Sequence, residues 1–237
     1  MRILLSALLL AMATGTGEPQ VSIQIEHWKY DPQVRTIKFT LANTSLKEIT
    51  ALSLKVRATY NDGSVNVSTT TTDFYQLIVG IDRTNDPQLR LMAFMPGTTH
   101  EMLIGAAQDV VEASATATNV VYADGTADVG DEREFGTLVA HRKGDVLAMQ
   151  KAAQILSGAK SRAAAVAELD RAAEALRGKN LGPDDPEPWA AYYLEFVVKA
   201  RIEREPETSL ATMVKDEERA AVVAAPHAQL RKTGVAQ

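Results

Sequence analysis

The chain contains no cysteine. That absence excludes a disulfide framework, a thiolate zinc site, a catalytic thiol and a lipid-anchored cysteine together, so stability has to come from packing. Only 5% of the 237 residues are aromatic, and the few large rings are expected in cores. No run of clustered Lys and Arg occurs, and the formal net charge is -5. Nucleic acid and anionic lipid are therefore not expected as partners, because both are bound chiefly through such clusters. Long apolar runs are also missing beyond the first dozen residues, so the mature chain is expected not to span a membrane. A hydrophobic content of 46% suffices for one fair-sized core or two small ones.

The amino terminus carries an address. Arg2 supplies a positive start, Ile3 to Met12 form an apolar run interrupted by Ser6, and Ala11-Met12-Ala13 has the A-x-A cleavage form. The run is about half the roughly 20 residues that a membrane-spanning helix needs. Residues 1–13 are expected to be a cleaved signal peptide, which makes the protein secreted or periplasmic; the net charge falls by one further unit with the loss of Arg2.

From Val21 to about Val129 the chain alternates apolar and polar residues and is punctuated by turns, the pattern of half-buried strands. Val21, Ile23 and Ile25 begin it, Ile37, Phe39 and Leu41 repeat it, and Leu52, Leu54 and Val56 lead into Asn61-Asp62-Gly63. Val65 and Val67 resume directly after that dipeptide, which predicts a β-hairpin. Pro96-Gly97 launches Met102 to Ile104, and a long strand runs from Val110 to Tyr122. Leu77 to Ile81 reads as a buried strand, although the topology between Thr69 and Met95 stays open. Tyr60-Asn61-Asp62-Gly63-Ser64 and Tyr122-Ala123-Asp124-Gly125-Thr126 share one form, read as recurring turn chemistry.

After Asp131 the composition turns to Ala, Glu, Arg and Leu, and the period becomes helical. One helix is expected from Asp145 to Ser157, extending back towards Glu132, and another carries Val166, Leu169, Ala173 and Leu176 before Gly178. Asp185, Pro186 and Glu187 form a helix start, and Trp189, Tyr193, Phe196, Val197 and Ala200 then line one stripe, expected to be core. A last helix runs from Ser209 to Ala225, and residues 234–237 are expected to fray. The fold class is therefore α+β, mainly β then α: an antiparallel sandwich over 20–130 and a small three- to four-helix domain over 131–230. The junction between Ala127 and Gly144 is expected to be the protease-sensitive stretch.

Phe39-Thr40-Leu41-Ala42-Asn43-Thr44-Ser45, followed by Lys47 and Ile49, resembles a strand-turn-strand element of bacterial extracytoplasmic immunoglobulin-like β-sandwich domains. The Pro96-Gly97 strand and the closing Val120-Val121-Tyr122-Ala123-Asp124-Gly125 are similar to the same group. The resemblance implies an immunoglobulin-like sandwich with a binding or scaffolding role. No cysteine pair is present, which separates the chain from antibody-type domains.

Candidate chemistry is sparse. His27, His100, His141 and His227 lie in no nucleophile or metalloprotease motif, and His141 and His227 are expected on solvated surface. No catalytic residue is expected. Asp124, Asp128, Asp131, Glu132 and Glu134 lie in a glycine-containing loop, the kind of segment from which calcium takes oxygen ligands. Acidic residues ahead of a helix equally stabilise its amino-terminal dipole without a metal. Trp28 and Tyr30 share a strand face, where they would stack on a sugar or peptide if exposed and belong to the core if buried. Asn43 and Asn66 stand in Asn-x-Ser sequons.

The expected role is a non-enzymatic protein-protein interaction or envelope scaffolding module. A carbohydrate- or calcium-binding module on the sandwich loops is the alternative, and a hydrolase with a spatially assembled site the third class. Export makes a direct prediction: mass spectrometry of protein from its native host should find a mature amino terminus at Thr14 or within a few residues of it. Intact Met1 in a soluble cytosolic fraction would overturn the localisation.

Overall fold

The computed structural model describes residues 22–75, 93–178, 182 and 184–233. The expected signal peptide at 1–13, the strand at 77–81 and the tail at 234–237 lie outside the described residues. Within them the chain is α+β, strands first and helices after, as the change of pattern predicts.

Seven strands precede the helices: β1 (Ile23–Asp31), β2 (Thr36–Asn43), β3 (Ile49–Tyr60), β4 (Val65–Asp73), β5 (Thr99–Gly105), β6 (Val110–Tyr122) and β7 (Thr126–Val129). They form a three-stranded sheet of order β1-β2-β5 and a five-stranded sheet of order β4-β3-β6-β7-β8, where β8 is the short Arg231–Lys232. All pairings are antiparallel except β7 with β8, which is parallel. The two sheets share one core. Ile37, Phe39 and Leu41 of β2 and Met102 of β5 pack with Leu52, Leu54 and Val56 of β3 and Val120 of β6.

The two Tyr-x-Asp-Gly motifs make the same turn. Gly63 and Gly125 have φ of 81° and 78°, a region costly for residues with a Cβ. Asp62 and Asp124 each accept from the backbone N–H two residues on, at 2.8 and 2.9 Å. The repeated motif is turn chemistry and not a duplicated fold.

A bulge changes the phase of β1. The register with β2 shifts between Ile25 and His27, so Ile23 and Ile25 at odd positions and Trp28 and Tyr30 at even ones all lean on the core that the two sheets share. Without that extra residue the two rings would face away from the isoleucines.

Four helical rods follow. The first, α1 (Glu132–Gly158), is capped by the Asp131 side chain, which accepts from the Glu134 amide at 3.1 Å. The second, α2 (Arg162–Arg177), is capped by Ser161 and buries Leu169, Ala173 and Leu176, with Glu168 and Arg171 paired outside as the spacing predicts. The third is continuous from Pro186 to Arg204, as α3 (Pro186–Tyr193), a π-helical stretch (Leu194–Lys199) and α4 (Ala200–Arg204). The last, α5 (Leu210–His227), runs on through Pro226 instead of stopping before it.

The π-helical stretch overturns the expected stripe. A wider turn rotates the residues that follow it, so Ala190, Leu194, Val198 and Ile202 point inward at spacing four. Tyr193 stays buried, but Phe196 is 56% exposed, and Tyr192 beside it is 55% exposed. Gly144 of α1 lets this rod come close: a Cβ there would meet Pro186 O at 2.5 Å and Trp189 Cβ at 2.6 Å.

The strand and helix halves meet on the outer face of the five-stranded sheet. Phe135 and Leu138 of α1 pack on Ala51, Val121 and Ala127. Residues 127–144 thus comprise β7, the Asp131 cap and the first turns of α1.

Candidate functional site

Arg142 sits at the seam between the halves and is fully buried, although its charged sequence context suggests solvent. Position 142 falls on the face of α1 that looks back at the ends of β3 and β4. Its Nε and Nη2 donate to Asp73 Oδ2 and Oδ1 at 3.0 and 2.8 Å, a bidentate pair. Nη2 also donates to the Thr50 carbonyl at 3.0 Å, and Nη1 to the His227 carbonyl at 3.1 Å. The guanidinium lies over Tyr75, 5.1 Å from the ring centroid. One side chain therefore ties β3, β4, α1 and the end of α5 together. The continuation of α5 through Pro226 is what delivers the His227 carbonyl.

Beside this clasp a cleft of about 380 Å³ is lined by Thr71, Asp73, Glu134, Thr137, His141 and Trp189. The volume falls within the range of small-ligand sites. The His141 ring rests on Trp189 at 4.6 Å between centroids, and His141 Nε2 lies 3.8 Å from the buried Asp145. Burial lowers the His141 pKa from its ordinary value; the Asp73 carboxylate opposes that shift and the Arg142 charge reinforces it. The ring rests against an aromatic wall, with two carboxylates and two hydroxyl groups lining the same space. Such a lining can stack an apolar ring face and accept hydrogen bonds from hydroxyl groups.

His227, expected in a solvated tail, packs instead at 6.2 Å from Tyr75, and His100 lies edge-on to Phe74 at 5.0 Å. His27 shares a hydrogen bond with Thr40 at 3.0 Å.

The acidic residues read as calcium candidates are dispersed onto separate partners. Asp124 pairs with Lys47 at 2.7 Å; burial pushes its pKa up, but Lys47 and Thr126 outweigh that and hold it at about 2. Asp128 accepts from the Tyr122 hydroxyl and from Thr233. Asp131 is the α1 cap, and Glu132 pairs with Lys232 at the seam with β8. Among the described residues no group of three or more His, Asp or Glu is placed to hold a metal ion. Trp28 and Tyr30 are half-buried against the core that the two sheets share, and the Tyr30 hydroxyl donates to Asp109 at 3.0 Å. Asn43 is buried, its amide donating to the Lys47 and Phe94 carbonyls at 2.9 and 3.0 Å, so the folded chain withholds that sequon.

Two predictions follow from the seam. Arg142→Ala leaves Asp73 without its partner and should cost about 3–5 kcal/mol in chemical denaturation. Arg142→Lys should recover little of it, since an ammonium cannot reproduce the fork. The second concerns pH. Burial lowers the pKa of His100, His141 and His227, so the unfolded chain takes up those protons first. Stability should be complete above the ordinary histidine value near pH 6.5 and fall as the pH drops below it. Melting temperatures recorded from about pH 7.5 to 5 should decline, and His141→Asn should make the decline shallower. A flat profile would contradict the burial argument.

No protein-family model matches the chain, and no curated protein matches it. Among solved structures, an X-ray structure of a hypothetical protein from Peptoclostridium difficile 630 is similar at 12% identity and a TM-score of 0.30, covering 48% of this chain and 89% of that one. A likeness at that level carries no argument. No helix of the described residues is long and apolar enough to cross a membrane.

Proposed function

We propose that this chain is a secreted or periplasmic, non-catalytic module that binds a protein partner or scaffolds the cell envelope, built on an immunoglobulin-like sandwich. The address rests on the signal-like residues 1–13. The sandwich class is supported by the strand order, β1-β2-β5 opposite β4-β3-β6-β7, in which successive strands are shared between two antiparallel sheets over one core.

The observation that carries the interaction reading is the pair Tyr192 and Phe196. Their rings touch at 4.8 Å between centroids, and more than half of each is exposed on a chain poor in aromatic residues. Adjacent exposed rings are the usual anchors of a protein interface. The neighbouring pairs Arg177 with Glu195 and Lys199 with Asp170, which bridge α2 and this rod, provide a polar rim beside the rings. The anchor thus lies on the helical half.

A second reading is favoured by the seam cleft, whose Trp189 wall, hydroxyl groups and carboxylates suit a carbohydrate ring. This moves the carbohydrate alternative from the sandwich loops to the seam. A thermal-shift series with mono- and oligosaccharides would support it if Trp189→Ala abolished the shift in a folded protein.

The test of the first reading is Phe196→Ala. It should lower stability by no more than about 1 kcal/mol, against about 3–5 kcal/mol for a buried Phe. A photo-reactive phenylalanine analogue at position 192 should give a discrete protein adduct in the native host, lost on Phe196→Ala. A stable, folded variant that leaves the adduct pattern unchanged would remove the pair from the interface.

A further inference from the structure

Among the described residues, β4 is an unpaired sheet edge. It runs for nine residues, Val65–Asp73, pairs with β3 in unbroken register, and has no second strand partner among the described residues. Natural edges are normally blunted by a charge, a proline or a bulge. From Val65 to Thr72 this one has none of these.

The side on which β4 is open follows from its hydrogen bonds. Tyr60 N donates to Ser64 O at 2.9 Å at one end of the hairpin, and Phe74 N donates to Thr50 O at 2.8 Å at the other. In an antiparallel ladder bonded pairs alternate, so Asn66, Ser68, Thr70 and Thr72 bond to β3. Val65, Val67, Thr69 and Thr71 therefore turn their N–H and C=O groups to the open side.

The side chains of those four residues share the outer sheet face with Lys55 and Arg57 of β3, which stand opposite Thr69 and Val67. Both cations are exposed and form no ion pair among the described residues, on a chain whose net charge is -5. Glu112 of β6 lies across β3 from this edge and pairs with neither. Helix α1 covers the other end of the face at Ala51 and Val121, leaving the end with Lys55, Arg57, Val65 and Val67 open.

We propose that β4 accepts an extended segment of a partner protein as an added strand, with acidic residues at two outward positions two apart meeting Lys55 and Arg57. Main-chain bonds to Val65, Val67, Thr69 and Thr71 supply the pairing, and charge selects the segment. This surface deepens the interaction reading given above and rests on it. A second copy of the chain fits less well, because antiparallel pairing of two β4 edges would place two Lys55–Arg57 pairs on one face.

The probe is a capped synthetic peptide of about nine residues, the length of β4, alternating threonine and valine with glutamate at two outward positions. It is compared with the same peptide carrying lysine there, and with a glutamate version N-methylated on alternate amides along one edge. Fluorescence polarisation with the full chain should show the glutamate peptide binding at least tenfold more tightly than the lysine one. The preference should reverse on Lys55→Glu with Arg57→Glu. N-methylation on the bonding edge should abolish binding, which needs no protein variant, and Thr69→Pro should do the same if it folds, because it removes an outward donor only. Hydrogen exchange should show new protection at Val65, Val67, Thr69 and Thr71. Phe196→Ala should leave all of this unchanged.

Absence of binding, indifference to N-methylation, or protection of the same amides by self-association without peptide would overturn the proposal. If the edge fails while the Phe196-dependent adduct persists, only the edge falls; if the adduct is also absent, the interaction reading falls with it.

Discussion

A guanidinium removed from water is costly unless every donor direction finds an acceptor, and the environment of Arg142 meets that demand with groups drawn from the whole chain. Asp73 supplies the charge, Thr50 a strand carbonyl, His227 a helix-end carbonyl and Tyr75 an aromatic face. None of the four belongs to its own helix. The position of α1 on the sheet, the length of α5 and the direction in which the chain leaves β4 are therefore mutually constrained by one planar cation. The cleft with His141 and Trp189 forms where that constraint holds α1 beside the end of β4 and the close approach at Gly144 brings α3 against α1.

Two local changes of period redirect aromatic residues in opposite senses. The bulge in β1 turns Trp28 and Tyr30 inward, where alternation from Ile23 would have left them outside. The π-helical stretch turns Phe196 outward, where helical spacing from Tyr193 would have buried it. One inserted residue per element produces each effect, and such an insertion has no signature in residue type.

That asymmetry marks what was legible in the residues. Alternation located β2, β3 and β6 closely, Asp62-Gly63 located the β3-β4 hairpin, the change of composition after Asp131 located the start of α1, and Asp185-Pro186 the start of α3. These are local matters of backbone chemistry. The site was not legible, because Arg142 next to His141 and Lys143 has the appearance of a solvated run, and only the packing of α1 shows that one of the three turns fully inward. The acidic loop misled in the reverse direction. Five carboxylates close in sequence suggest a common ligand, yet their partners Lys47, Thr233 and Lys232 come from distant parts of the chain. β8 gave no signal, since two polar residues near a terminus carry no period.

The parallel pairing of β8 with β7 joins residues about a hundred positions apart, and it is reinforced by Thr233 on Asp128 and Lys232 on Glu132. During synthesis, β1 to β7 emerge before the helices and can assemble among themselves. The outer border of the five-stranded sheet and the seat of α1 must wait for residues 227–232, because both β8 and the His227 carbonyl come from them. A chain interrupted before residue 227 would keep β1 to β7 but lack both β8 and the carbonyl that fasten the helices to them.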